Sequence, residues 1–102
     1  MSLSITGNKG FHIRFENGIT ISIQFGAANY CEHYNGDIGS EIKKTKWESI
    51  DAEVGVWDEN KKWYDFKNNS FGDSTHVVGY KSADEIADLI TKFKNWKNHD
   101  PT

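Results

Sequence analysis

The chain has 102 residues and a net charge of −3, and Arg14 is the one arginine among its twelve cationic residues. This length favours a single domain over residues 1–102, because two separate cores would each lack apolar volume. Arginine is the preferred bidentate ligand of phosphate groups and guanine edges, so its near absence argues against specific DNA recognition.

Residues 11–25 predict a first β-hairpin. A two-residue turn would place the apolar rows of the two strands on opposite faces of the sheet, which a half-buried sheet does not accept. We therefore predict a three-residue loop from Glu16 to Gly18, with Phe15 opposite Ile19 and with Gly18 in the left-handed conformation. The apolar residues that alternate with polar ones in this hairpin are Phe11, Ile13, Phe15, Ile19, Ile21 and Ile23.

Residues 52–66 predict a second hairpin. Placing Trp57 opposite Trp63 brings Val54 beside Phe66 on one face, which gives an apolar register. The two tryptophans then share the other face of the sheet. His12 of the first hairpin is expected on a polar face, as a solvated histidine.

The end of the chain predicts a fifth strand over residues 76–80 and then a helix. Ser82 and Glu85 have the spacing of a capping box, which predicts that the helix begins after Ser82. Its apolar stripe consists of Ile86, Leu89, Ile90, Phe93 and Trp96. The predicted fold is therefore α+β, with a mainly antiparallel sheet of four to five strands in two hairpins and a C-terminal helix packed on one face.

Residues 26–51 lack a clear strand or helix pattern, although residues 41–50 are compatible with a short helical turn or an irregular edge strand. Connections longer than ~12–15 residues are uncommon in compact domains, so this segment either contains an extra element or is a functional loop. The part from 26 to 39 contains Tyr30, Cys31 and His33. An imidazole can activate a thiol. In an extended segment, however, side chains two residues apart are about 6–7 Å apart, too far for a direct hydrogen bond. Cys31 is therefore either a small buried residue or the reactive centre of a ligand or catalytic site.

A metal site is not predicted, because zinc needs three or four converging donors and the chain lacks the paired Cys or His spacings that supply them. Lys43, Lys44 and Lys46 beside Trp47 have the composition of a single-strand nucleic-acid site. Acidic residues flank this cluster and weaken its field. We therefore expect neither a cofactor nor a nucleic-acid partner.

Five blocks of sequence, spread over most of the chain, share the order and spacing of a known group. These blocks are residues 15–26, 29–31, 52–54 with Trp57, 79–80 and 82–86. They resemble small proteins that are encoded by bacteriophages and prophages and whose function is not established. The resemblance transfers no role to Cys31 or to any other residue. It implies a bacterial cytoplasmic setting and an accessory role.

The sequence thus predicts a small non-enzymatic module that binds a protein partner or a second copy of itself. Trp57 and Trp63 are the first candidate binding residues, because an apolar patch on the face away from the helix marks an interface unless residues 26–51 cover it. Tyr30, Cys31 and His33 are further candidates, and the alternative is a small-ligand or catalytic site around Cys31 and His33. No membrane partner is expected, because no stretch approaches the ~20 apolar residues of a span, and the absence of a secretory signal predicts a cytoplasmic location.

Overall fold

The computed structural model describes residues 1–7, 10–26 and 49–97. These residues form one antiparallel sheet and one helix, so the predicted α+β class is confirmed, but the sheet has seven strands in the described ranges rather than four or five. The elements are β1 (Ser2–Thr6), β2 (Gly10–Arg14), β3 (Thr20–Gln24), β4 (Asp51–Trp57), β5 (Trp63–Asp65), β6 (Ser70–Gly72), β7 (Val77–Ser82) and α1 (Ala83–Lys94).

β4 is the central strand of the sheet. Strands β1 to β6 pair in chain order, and β7 pairs with β4 as well. One edge of β4 pairs with the whole of β3, so that Thr20–Gln24 lie opposite residues 57–53. The other edge is divided, because β5 pairs with β4 at Trp57 and β7 pairs with it over residues 51–55.

The first hairpin has the predicted register. Ile13 lies opposite Ile21, and the Phe15 amide donates to the Ile19 carbonyl at 2.8 Å. Gly18 closes the three-residue loop with a φ of +87°, in the left-handed region predicted for it. The apolar rows of both strands therefore lie on one face, and Ile21 is fully buried there.

The second hairpin follows the prediction only at its start. Trp57 lies opposite Trp63 as predicted, but the predicted neighbour of Val54 is wrong, since Val54 lies opposite Val78 of β7 rather than beside Phe66. The chain turns away after Asp65, whose carboxylate accepts the Lys67 amide at 2.9 Å. This turn leads into β6, a strand that the sequence did not predict, and frees the edge of β4 for β7.

The helix begins with the predicted capping box. The Ser82 hydroxyl accepts the Glu85 amide at 3.2 Å, and the Glu85 carboxylate accepts the Ser82 amide at 3.0 Å. The hydrogen bond from the Ser82 amide is the largest cause of a lowered pKa of Glu85. The helix packs on β7 and β4 and buries Phe93 completely.

Tyr64 of β5 lies at the centre of the core, fully buried. Its ring makes edge contacts with four other aromatic rings at centroid distances of 4.8–5.6 Å: those of Phe66, Phe71, Phe93 and Trp96. Aromatic pairs in this geometry contribute about 0.5–1.5 kcal/mol each beyond the area they bury. Two of the four rings belong to the helical segment or follow it, so this cluster holds the end of α1 on the sheet.

Asn17 joins the loop of the first hairpin to the end of the helix. Its side-chain amide nitrogen donates to the Phe93 carbonyl at 2.8 Å and to the Trp96 carbonyl at 3.0 Å. Its side-chain oxygen accepts the Ile19 amide at 3.0 Å. One side chain therefore donates to two carbonyls at the end of the helical segment and stabilises the hairpin loop as well.

We predict that Asn17→Ala lowers the free energy of unfolding by about 1–3 kcal/mol, because the hydrogen bonds of the Asn17 side chain to the Phe93 and Trp96 carbonyls and to the Ile19 amide are lost. Asn17→Asp is expected to cost more, since it places a negative charge at the negative end of the helix dipole. Urea unfolding measures both effects. The exposed Asn60 of the other hairpin loop is the control, and Asn60→Ala should stay within about 0.5 kcal/mol of wild type. Equal losses at Asn17 and Asn60 would contradict the role of Asn17.

Candidate functional site

The structure places Trp57 and Trp63 together on the sheet face opposite the helix. Their ring centroids are 4.9 Å apart with an interplanar angle of 48°. Both side chains are half-buried. Tyr30, Cys31 and His33 lie outside the described residues, so their predicted roles stay predictions.

His12 joins the two tryptophans. Its ring meets that of Trp57 edge to face, with centroids 5.1 Å apart. His12 lies opposite Ser22, and its ring is half-buried against Trp57 rather than solvated as expected. We call the surface formed by His12, Gly55, Trp57 and Trp63 the aromatic face.

Small residues beside the rings let the aromatic face lie close to the sheet. A Cβ atom at Gly55 would be only 2.8 Å from Cζ3 of Trp63, so the indole lies directly over Gly55. The strand pairings place a row of side chains along this line: Ser4, His12, Ser22, Gly55 and Val77. Because this row carries no large side chain at Ser22 or Gly55, the indole of Trp63 can lie along the sheet.

Burial lowers the pKa of the His12 imidazole below its ordinary value of 6.5. Removing the ring from water penalises the charged form, so the neutral imidazole is the stable form in this position at neutral pH. The aromatic face therefore carries no charge of its own near pH 7, although charged residues surround it.

A polar rim lies next to Trp63. Asp65 follows it by two residues, and its carboxylate is 3.6 Å from Nε2 of His76. Lys62, which precedes Trp63, pairs with Asp73. Backbone hydrogen bonding from Lys67 is the largest cause of the lowered pKa of Asp65, so this carboxylate stays ionised. An uncharged aromatic centre with a charged rim is the general arrangement of protein interfaces.

A second surface, which the sequence patterns did not predict, lies at the outer strand β1. Leu3 pairs with Ile13 and Ile5 with Phe11, so all four share the face of the core. We call these four residues the edge surface. A cavity of about 640 Å³ opens beside it and is lined in part by Met1, Leu3, Ile13, Phe15 and Lys94. The alternation of Leu3 and Ile5 with Ser2, Ser4 and Thr6 was the available signal.

Residues 1–7, 10–26 and 49–97 contain no cluster of three or more His, Cys, Asp or Glu side chains able to hold a metal ion. In the same part of the chain, no helix is long and apolar enough to cross a membrane. Comparisons with models of known families, with curated proteins and with solved structures found no match.

We predict that Gly55→Ala lowers the free energy of unfolding by about 1–3 kcal/mol, because the added methyl group displaces the Trp63 indole. Gly72→Ala is the matched control: Gly72 lies opposite Trp63 in β6, and an added Cβ atom there meets nothing within 4 Å. Urea unfolding followed by tryptophan fluorescence measures both. If Gly55→Ala changed neither stability nor the emission maximum, Trp63 would not lie over Gly55.

We predict that His12 titrates below pH 6.5 in the folded protein. Since the unfolded chain then binds this proton more readily, the stability due to His12 is complete above about pH 6.5 and is lost as the pH falls through the folded pKa. NMR titration of the imidazole measures the pKa directly. Trp57→Ala should raise it toward 6.5 by exposing the ring, and a wild-type pKa at or above 6.5 would contradict the burial.

Proposed function

We propose that this protein is a non-enzymatic module that binds another protein through the aromatic face. The observation that supports the proposal is the contact of three aromatic rings, those of His12, Trp57 and Trp63, on the sheet face that the helix leaves uncovered. Tryptophan is among the residues most enriched at interface positions that dominate binding energy.

The shape of the aromatic face favours a partner that lies across the sheet. The Trp63 indole lies over Gly55 of the central strand, whereas sites for small ligands are concave pockets that enclose most of the ligand. The partner should present apolar side chains to the rings, since the face carries no ionised group of its own near neutral pH. The rim around Asp65 and Lys62 then supplies polar contacts and orientation.

The setting that we propose for this binding is the cytoplasm of a bacterium, with an accessory role of the kind that phage and prophage proteins have. This part of the proposal is supported by the resemblance of the five sequence blocks and by the single cysteine, which suits a reducing compartment. Host or phage proteins are the corresponding partners.

Affinity capture from a bacterial host lysate tests the proposal. The immobilised wild-type protein should recover a specific partner, and Trp57→Ala and Trp63→Ala should each reduce the recovery at least about tenfold, which corresponds to ~1.4 kcal/mol. Tyr80→Ala is the control, because Tyr80 is an aromatic residue with 55% of its surface exposed that does not belong to the aromatic face. Circular dichroism verifies that each variant is folded. Equal recovery by all four proteins would refute the role of the aromatic face.

A further inference from the structure

Among the described residues, the apolar face of the sheet continues from the core to the outer strand β1, where its side chains are exposed. Along one row, Ile21 of β3 is fully buried, Ile13 of β2 is half-buried and Leu3 of β1 is 76% exposed. Along the next row, burial decreases in the same way to Ile5, which is 92% exposed. Helix α1 packs on β7 and β4, and its last residue, Lys94, lines the cavity beside Leu3. Two aliphatic side chains of β1 therefore extend the core face into solvent.

β1 also lacks the features that keep edge strands apart. Proteins protect such strands with lysines, prolines or bulges, and the Ser-Leu-Ser-Ile-Thr sequence of β1 has no lysine, no proline and no charge. Its pairing with β2 is regular over all five residues. The outward backbone groups of β1 are thus presented as a straight strand that can accept another strand.

A second copy of the chain can occupy this edge because β1 itself carries no charge. Each copy carries a net charge of −3, so two copies repel one another unless they meet through an uncharged surface. β1 supplies such a surface together with the strand that the edge requires. Leucine and isoleucine alternate with small polar residues in it, so the strand is complementary to itself when it runs antiparallel.

We propose that two copies associate through β1, antiparallel, about a two-fold axis at Ser4. The two-fold axis between the two antiparallel strands is perpendicular to the sheet. The residue at the axis therefore faces the same residue of the second copy, and residues on either side of it pair with residues at equal distances from the axis. Only Ser4 as the centre pairs all five residues of β1, and it places Leu3 beside Ile5 of the second copy. The four aliphatic side chains then form one continuous apolar stripe, and the two sheets become one. This interface is separate from the aromatic face and does not depend on the function proposed for it.

Analytical ultracentrifugation over about 1–500 µM, a range that spans weak and moderate dimers, tests the association. The wild type should dimerise, and Ile5→Lys should weaken the dimer at least about tenfold by placing two like charges in the stripe. Ile50→Lys is the matched control, since Ile50 is 73% exposed and lies outside β1. A monomer throughout this range would overturn the proposal. A second result would also overturn it: a monomeric wild type whose free energy of unfolding is lowered by Ile5→Lys. In that case another segment of the same chain would cover the edge surface.

Cysteine cross-linking tests the register. In a chain with Cys31→Ser, which removes the one native thiol, Ser4→Cys should form an intermolecular disulfide on mild oxidation. Opposed residues of antiparallel strands have Cα atoms about 4.5–5.5 Å apart, within the range that a disulfide spans. Ser2→Cys is the control, because the two copies of Ser2 would be four residues apart along the strands, roughly 13 Å. Cross-linking at Ser2 in place of Ser4 would overturn the register.

Discussion

The pairing of Trp57 with Trp63 is the constraint on which both faces of the sheet depend. Successive residues of a strand point to opposite faces, so this register places Trp63 on the aromatic face and Tyr64 in the core. A shift of one residue would exchange them. The loop between the strands holds the register, because the Asp58 carboxylate accepts the amides of Asn60 and Lys62, each at 2.9 Å.

Strand β5 connects the proposed binding surface to the stability of the domain, because it carries both Trp63 and Tyr64. Tyr64 anchors the aromatic core, and its hydroxyl accepts the Lys92 ammonium group of the helix at 3.0 Å. The neighbouring Trp63 therefore belongs to a strand whose opposite face is held by contacts between Tyr64 and the helix. Side chains on such strands are held more accurately than side chains on loops. Preorganised rings lose little conformational freedom on binding, which favours the binding role proposed for the aromatic face.

Sequence patterns predicted those parts of the fold in which local and tertiary preferences agree. The alternation of residues in the first hairpin allowed only one loop length, and Ser82 with Glu85 marked the start of the helix. The prediction failed where a single side chain redirects the backbone, since the Asp65 carboxylate ends β5 by binding amides that a longer strand would have paired. The burial of His12 also depends on a neighbour in another strand pair, Trp57, which no local pattern reveals. The two tryptophans were predicted as a pair, because their register follows from the apolar pattern around them.

Dimerisation through β1 would change what the aromatic face can do. The two-fold axis is perpendicular to the joined sheet, so the rotation does not exchange the two faces of the sheet. Both copies of Trp57 and Trp63 then face the same direction, and both helices lie on the opposite side. A partner with two binding segments would engage the second aromatic face as an intramolecular event, with a gain set by the effective concentration rather than by new contacts. The unprotected edge of β1 and the aromatic face thus fit one arrangement, in which the proposed self-association places two aromatic faces on the same side of one joined sheet.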